Sequence, residues 1–137
     1  MSRMRSKMSK KNKWYIEPER YLELKHFCLQ YPEWRRKLNF LMPMTTSSYA
    51  NQRSRKGRAA SDVVGSFMEQ SFDIITMVDM VENSCMEADR DIWRWLLIGV
   101  TEDVGYEGLK ARGIPCGKDY YYDAYHKFFY ILDKERK

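Results

Sequence analysis

Two runs of apolar residues with helical spacing occupy the C-terminal part of the chain, and a glycine and a proline separate them. The first run consists of Ala88, Ile92, Leu96 and Val100, and the second of Tyr121, Tyr125, Phe128 and Leu132. Residues three or four positions apart share one face of a helix, so each run predicts a helix with one buried side. Gly113 suits the end of a helix, and Pro115 prevents its continuation. The pattern predicts a helix, a short helix, a turn whose Ile114 enters the core, and a longer helix, which is the plan of a helix-turn-helix.

The remainder of the chain has helical periodicity as well, so the predicted fold class is all-α, a helical bundle with a C-terminal helix-turn-helix. We expect helices near residues 18–30, 33–41, 61–86, 88–100, 104–111 and 117–134. The predicted organisation is a basic disordered arm (1–13), an N-terminal helical pair (14–42), a basic loop (43–60), and a long helix followed by the helix-turn-helix (61–137).

The net charge of +5, from 24 basic and 19 acidic residues, is concentrated in two stretches. Residues 1–13 contain six basic residues and no acidic one, and residues 51–58 contain four basic residues and no acidic one. Each phosphate that a cation neutralises releases a counterion, so basic segments of this kind commonly contact a nucleic-acid backbone. We therefore expect both stretches to contact phosphate. The candidate DNA-binding residues of the second stretch are Arg53, Arg55, Lys56 and Arg58.

Several classes of protein are disfavoured by features that the sequence lacks. No apolar run approaches the roughly 20 residues that span a bilayer, so we expect no membrane partner. The three widely separated cysteines, Cys28, Cys85 and Cys116, argue against a disulfide framework and favour a reducing, cytoplasmic location. A zinc site needs about four converging ligands, usually in close pairs, and His26 with Cys28 supplies only one such pair. There is no phosphate-binding glycine loop and no catalytic motif, so we expect no metal, no cofactor and no enzymatic activity.

Several segments of the chain carry a family resemblance. They are Ile114–Asp119 followed by Tyr121 and Tyr122, then Lys127–Leu132, and the stretch from Val100 through Tyr106 to Leu109. These segments resemble the C-terminal part of the late-transcription regulators of the ArpU and RinA type, from phages and prophages of Gram-positive bacteria. The C-terminal module of those proteins is similar to region 4 of sigma-70-type factors. The resemblance implies a sequence-specific regulator of phage genes that binds double-stranded DNA, with RNA polymerase as a further partner.

The second helix of a helix-turn-helix enters the major groove, so outward residues of the last predicted helix are candidate base contacts. These candidates are Lys118, Asp119, Tyr120, Tyr122, Asp123, His126 and Lys127. We expect Asp119, Asp123 and His126 to be exposed. Regulators of this kind tend to carry several cations on this face, whereas here two carboxylates would repel phosphate, although Asp can accept a hydrogen bond from cytosine N4. The basic stretches, or a second copy of the chain, are therefore expected to supply most of the affinity.

Other functions stay open at this point. A helical adaptor or inhibitor that binds a protein would reuse the helix-turn-helix scaffold; the acidic last helix favours it, and the basic arm opposes it. A small terminase-like DNA-packaging protein would also use this motif and would form a ring. The apolar face of the predicted helix 61–86 is wide, which favours packing within the chain, and a homodimer through this helix is the alternative.

Overall fold

The computed structural model describes residues 10–41 and 58–136, with side chains from residue 68 onward in the second range. Residues 1–9 of the predicted arm and residues 42–57, most of the predicted basic loop, lie outside the described residues. The regular structure of both described ranges is helical and contains no strand, so the predicted all-α class is confirmed. The helices are α1 (Pro18–Leu29), α2 (31–41), α3 (Arg58–Ala88), α4 (Trp93–Thr101), α5 (Tyr106–Ala111) and α6 (Lys118–Glu135).

The chain divides into two compact units. The first unit consists of Met1–Tyr31 and Met80–Lys137, so α1 belongs with α4, α5, α6 and the end of α3. The second unit, Pro32–Asp79, contains α2 and most of α3. Among the side chains described in this unit, the buried apolar ones are Trp34, Leu38, Leu41, Ile74 and Val78. The predicted N-terminal helical pair is thus divided between the two units.

The ends of α1 and α6 follow from ordinary helix chemistry. Pro18 occupies the first turn of α1, where its missing N–H removes no intrahelical hydrogen bond, and Glu19 follows it. In α6, Asp119 lies in the first turn and Lys134 in the last, so both side chains carry the charge that the helix dipole favours. These local preferences place both helices where the sequence predicts them.

The aromatic face of α6 supplies much of the core of the first unit, and it packs against α1 and α4. The predicted buried stripe of Tyr121, Tyr125, Phe128 and Leu132 is at most 1% exposed at each position, which confirms the helix register. Phe129 is buried too, so the face is wider than the predicted stripe. From α1, the Tyr21 hydroxyl lies 2.6 Å from the Tyr125 hydroxyl, and the Tyr21 ring meets the edge of Phe129 with centroids 5.0 Å apart.

A glycine allows α4 to approach α6 closely. A Cβ atom built on Gly99 would lie 2.0 Å from the hydroxyl oxygen of Tyr121, which is much shorter than any van der Waals contact. Tyr121 is fully buried, so its ring has no space into which it can withdraw. Any larger residue at position 99 would therefore separate the two helices.

A charge pair connects α1 to the loop after α4. The Lys25 side chain is only 5% exposed, and its ammonium nitrogen lies 3.2 Å from Asp103 Oδ1. A buried ammonium group is costly unless it is paired, so this contact compensates its desolvation. Asp103 has a left-handed backbone conformation, with φ of 57°, which short polar residues such as Asp tolerate better than most.

The turn between α5 and α6 has the geometry that its glycine predicts. The N–H of Gly113 donates to the carbonyl of Lys110 at 3.0 Å, and the N–H of Ile114 donates to that of Leu109 at 3.1 Å. This pair of bonds is the Schellman motif, and Gly113 takes the positive φ, 100°, that the motif requires. Ile114 is buried at 8% exposure, so its predicted role as the core residue of the turn is confirmed.

The boundary between α3 and α4 differs from the prediction. Residues 89–92 form a turn, where the sequence had predicted that a helix begins at residue 88. The Asp89 carboxylate causes this break, because its Oδ1 accepts hydrogen bonds from the backbone N–H groups of Asp91 and Ile92. At its other end, α3 begins at Arg58, three residues before the predicted start, since the helix-favouring Ala59 and Ala60 extend it.

Truncation of Phe128 is the direct test of this core. We expect Phe128→Ala to lower the free energy of unfolding by about 3–5 kcal/mol, because it removes a fully buried ring and leaves a cavity. Urea denaturation monitored by circular dichroism measures the change. The matched control is Phe40→Ala, whose ring is 66% exposed and whose loss should cost roughly 0.5 kcal/mol or less. Equal costs for the two variants would contradict the packing of α6.

Candidate nucleic-acid interface

The solvent-facing side of α6 is a narrow stripe. Lys118, Asp119 and Asp123 are exposed near its N-terminal end, as expected for Asp119 and Asp123. Further along the same stripe, Lys127 is half-buried and Lys134 is exposed. The rest of the helix surface is largely covered by its own unit, so this stripe is the part of α6 that a ligand can reach.

His126 does not lie on this stripe. The prediction that it is exposed is wrong, because only 7% of its surface is accessible. The prediction assumed a narrow buried face on α6, whereas α1 and α4 both pack on the helix and widen that face to include residues 126 and 129. The His126 ring packs near the rings of Tyr122 and Tyr125, with centroids 6.5 Å and 5.9 Å away. We therefore remove His126 from the candidate base contacts.

Two tyrosines connect α6 to the turn before it. The half-buried Tyr122 accepts a hydrogen bond at its hydroxyl oxygen from the backbone N–H of Tyr106, at 3.3 Å. Tyr106 in turn donates its hydroxyl to the carbonyl of Cys116, at 2.7 Å. These bonds hold α5, the turn and α6 together. Tyr122 therefore has a structural role at this position, and no sequence pattern indicated it.

The N-terminal end of α6 lies in an acidic environment. Tyr120, 49% exposed, donates its hydroxyl to Asp89 Oδ2 at 2.5 Å. This hydrogen bond, with smaller contributions from partial burial and the charges of Asp89 and Asp91, raises the pKa of Tyr120 to about 12. Together with Asp119 these carboxylates give a negative potential, which the exposed Lys118 and Arg90 oppose only in part.

The C-terminal half of the same stripe is basic and aromatic. The ring of Trp14 packs on that of Tyr130, with centroids 5.3 Å apart. The ammonium nitrogens of Lys13 and Lys127 lie 5.0 Å and 5.5 Å from the centroid of Trp14, and that of Lys134 lies 4.3 Å from the centroid of Tyr130. These distances are typical of cation–π contacts. We call these five residues the lysine–aromatic cluster.

The cluster orders the end of the basic arm. Residues 10–14, of which 10–13 were predicted to be disordered, form a turn. Asn12 stabilises the turn, because its side-chain oxygen accepts from the N–H of Trp14 at 2.8 Å and its carbonyl accepts from the N–H of Tyr15 at 3.0 Å. The arm is therefore attached to α6, a contact between residues more than a hundred positions apart that no local pattern reveals.

The second basic stretch cannot be placed in the same way. Arg53, Arg55 and Lys56 lie outside the described residues, and only the backbone of Arg58, the first residue of α3, is described. In the second unit, Met68 and Phe72 of α3 are 57% and 70% exposed. A homodimer contact through residues 61–86 stays a prediction, and these two side chains are the described apolar groups that would enter it.

The cysteines are not arranged for catalysis or metal binding. Cys28 and Cys85 are buried and Cys116 is half-buried, all as free thiols. Burial raises the pKa of each, so the nucleophilic thiolate is disfavoured. Among residues 10–41 and 58–136, no three His, Cys, Asp or Glu side chains converge in a way that could hold a metal ion. None of the described helices has the length and hydrophobicity needed to cross a membrane.

Comparison of the chain with protein-family models, with curated proteins and with solved structures found no match.

The link between Tyr120 and Asp89 can be tested by titration. We expect Asp89→Asn to lower the pKa of Tyr120 from about 12 towards the ordinary value of about 10, because the anionic acceptor is lost. Because folding raises the pKa of Tyr120, its protonated hydroxyl contributes stability in full at a pH below the pKa of the unfolded state. This contribution to stability disappears as the pH rises from about 10 to about 12. NMR titration of ring-labelled tyrosine, with Tyr120→Phe to assign the signal, measures the shift. As a control, Asp123→Asn should leave the pKa unchanged, and an unchanged value in Asp89→Asn would contradict the hydrogen bond.

Proposed function

We propose that this protein binds double-stranded DNA in a sequence-specific manner and regulates transcription, as its resemblance to phage and prophage regulators implies. The observation that carries the proposal is the succession of α5, a Schellman turn closed by Gly113, and α6 with a solvent-facing N-terminal end. In helix-turn-helix proteins the N-terminal residues of the second helix contact base edges in the major groove. Here those residues are Lys118, Asp119 and Asp123.

The chemistry of these residues restricts how such a complex would form. Lys118 is suited to guanine, whose O6 and N7 accept hydrogen bonds, and an Asp is suited to the N4 amino group of cytosine. The same carboxylates repel phosphate, so they add selectivity and reduce affinity. The backbone contacts that hold the protein on DNA must therefore come from cations elsewhere, and the basic stretches of residues 1–13 and 51–58 are candidates for them. RNA polymerase is a further partner that the resemblance implies.

The test compares DNA from the protein's own genomic neighbourhood with a random duplex in a salt-dependent mobility-shift assay. Wild-type protein should prefer a fragment from its own locus. Lys118→Ala should relax that preference by about 1–3 kcal/mol at the base pair that it contacts. The matched control, Lys37→Ala, removes an exposed lysine from the other unit and should leave the preference intact. Wild-type protein that binds every fragment equally would contradict sequence-specific regulation.

A second candidate function is favoured by the acidic N-terminal end of α6. Tyr120, Asp119 and Asp123 together present an aromatic, negatively charged surface, which suits a basic partner protein better than DNA. If this end faces DNA, Asp119→Asn with Asp123→Asn should strengthen binding to random duplex, because two repulsive charges are lost. If it faces a protein, DNA affinity should not change. A helical adaptor or inhibitor would then be the better description, and a ring-shaped assembly in sedimentation analysis would favour a terminase-like packaging protein instead.

A further inference from the structure

We propose that the lysine–aromatic cluster is a binding surface for the phosphodiester backbone of duplex DNA, so that the C-terminal half of α6 supplies backbone contacts. The inference rests on the proposed DNA binding and adds to it one defined surface. The sequence predicted Lys127 as a base contact and Lys13 as part of a basic arm, whereas the structure brings both together with Lys134 around two aromatic rings.

Aromatic rings gather the cations of the cluster. Trp14 has two ammonium nitrogens within 5.5 Å of its ring centroid, and Tyr130, which packs on Trp14, has a third at 4.3 Å. Among the described residues, no carboxylate oxygen lies within the 4.0 Å of an ion pair from Lys13, Lys127 or Lys134. The cation–π contacts restrict the motion of the three lysine side chains but leave their positive charges uncompensated. An anion that binds here therefore meets cations that are already positioned.

The spacing of these cations suits a polyanion. Lys127 and Lys134 are seven residues apart on one helix face, which corresponds to roughly 10 Å along the axis. A DNA strand carries one phosphate about every 3.4 Å of helix axis, so with α6 aligned along the duplex axis this interval would cover about three phosphates of one strand. A single phosphate or carboxylate would reach one of these lysines, whereas a DNA strand can reach both.

The cluster is also continuous with the rest of the arm. Lys10, exposed in the ordered turn, precedes Lys13, and residues 1–9 add three more basic residues and no acidic one. In the described part of the arm, positive charge thus leads from Lys10 to Lys13 and onto α6. On the stripe, Asp123 lies one helical turn before Lys127 and forms no ion pair with it, and Asp133, which precedes Lys134, pairs with Arg20 of α1.

The experiment measures binding of the full-length protein to a short, labelled, random-sequence duplex by fluorescence anisotropy, from about 50 to 200 mM salt. Each phosphate contact contributes about 0.9 to the slope of log K against log salt. The double variant Lys127→Gln, Lys134→Gln should therefore lower the slope by about 1.8 and weaken binding. The matched control, Lys37→Gln with Arg90→Gln, removes the same charge from two exposed positions outside the cluster and should keep the wild-type slope.

A third variant tests whether the rings matter. Trp14→Leu keeps every charge but removes the ring that gathers Lys13 and Lys127, so the slope should fall part of the way towards that of the double variant. Thermal melting checks that this variant is folded. The lysine variants do not depend on this check, because they leave the core intact.

The outcomes separate this inference from the proposed function. Equal slopes for the double variant and its control, or no binding of wild-type protein to the random duplex, would overturn the backbone surface. A specific loss of slope in the double variant supports it, whether or not the protein prefers DNA from its own locus. That preference is the separate readout of sequence-specific regulation, and it should persist in the double variant because phosphate contacts carry no sequence information.

Discussion

Burial of the aromatic face of α6 is the interaction on which the first unit depends. Tyr121, Tyr125, Phe128 and Phe129 are each at most 1% exposed, and complete burial of a large apolar side chain stabilises a fold by about 1.5–3 kcal/mol. These rings contact α1 from one end of the chain and α4 from its middle. The helix proposed to contact DNA is therefore also the central packing element, and its orientation is set by the core.

This double role explains why so little of α6 is available to a ligand. With two helices packed on it, the accessible part narrows to the stripe from residue 118 to residue 134. His126 is lost from the surface for this reason, and the hydroxyl of Tyr122 is engaged by the backbone of Tyr106. A side chain that adds affinity or specificity has to come from the few positions that remain.

The charges along the stripe are sorted by position. Asp119 lies in the first turn of α6, where the helix dipole is positive, and Lys134 lies in the last turn, where it is negative, so both charges also stabilise the helix. Asp89 adds to the acidic end through Tyr120, and Lys13 adds to the basic end through Trp14. At the C-terminal end of α6, lysine thus suits both helix stability and phosphate binding. At the N-terminal end, helix stability favours a carboxylate, whereas phosphate binding favours a cation.

The sequence by itself determined the elements of this protein. A period of 3.6 residues in the apolar positions is a local property, so it located the helices and the buried stripe of α6. The turn at Gly113 was predictable in the same way. A glycine takes the positive φ that ends a helix more easily than other residues, and the proline two positions later prevents the helix from continuing. The break at Asp89 is also local, but it depends on which backbone N–H groups donate to the Asp89 carboxylate. The sequence pattern indicates such hydrogen bonds only weakly.

Only the tertiary structure decided which residues of α6 remain exposed and which charged groups come into contact. The burial of His126 depends on how many helices pack on α6, and the attachment of the arm depends on the contact between Trp14 and Tyr130. The separation of α1 from α2 into different units is of the same kind. Each of these features arises from residues distant in the chain, whose approach is set by the summed packing of the whole unit and by no local pattern.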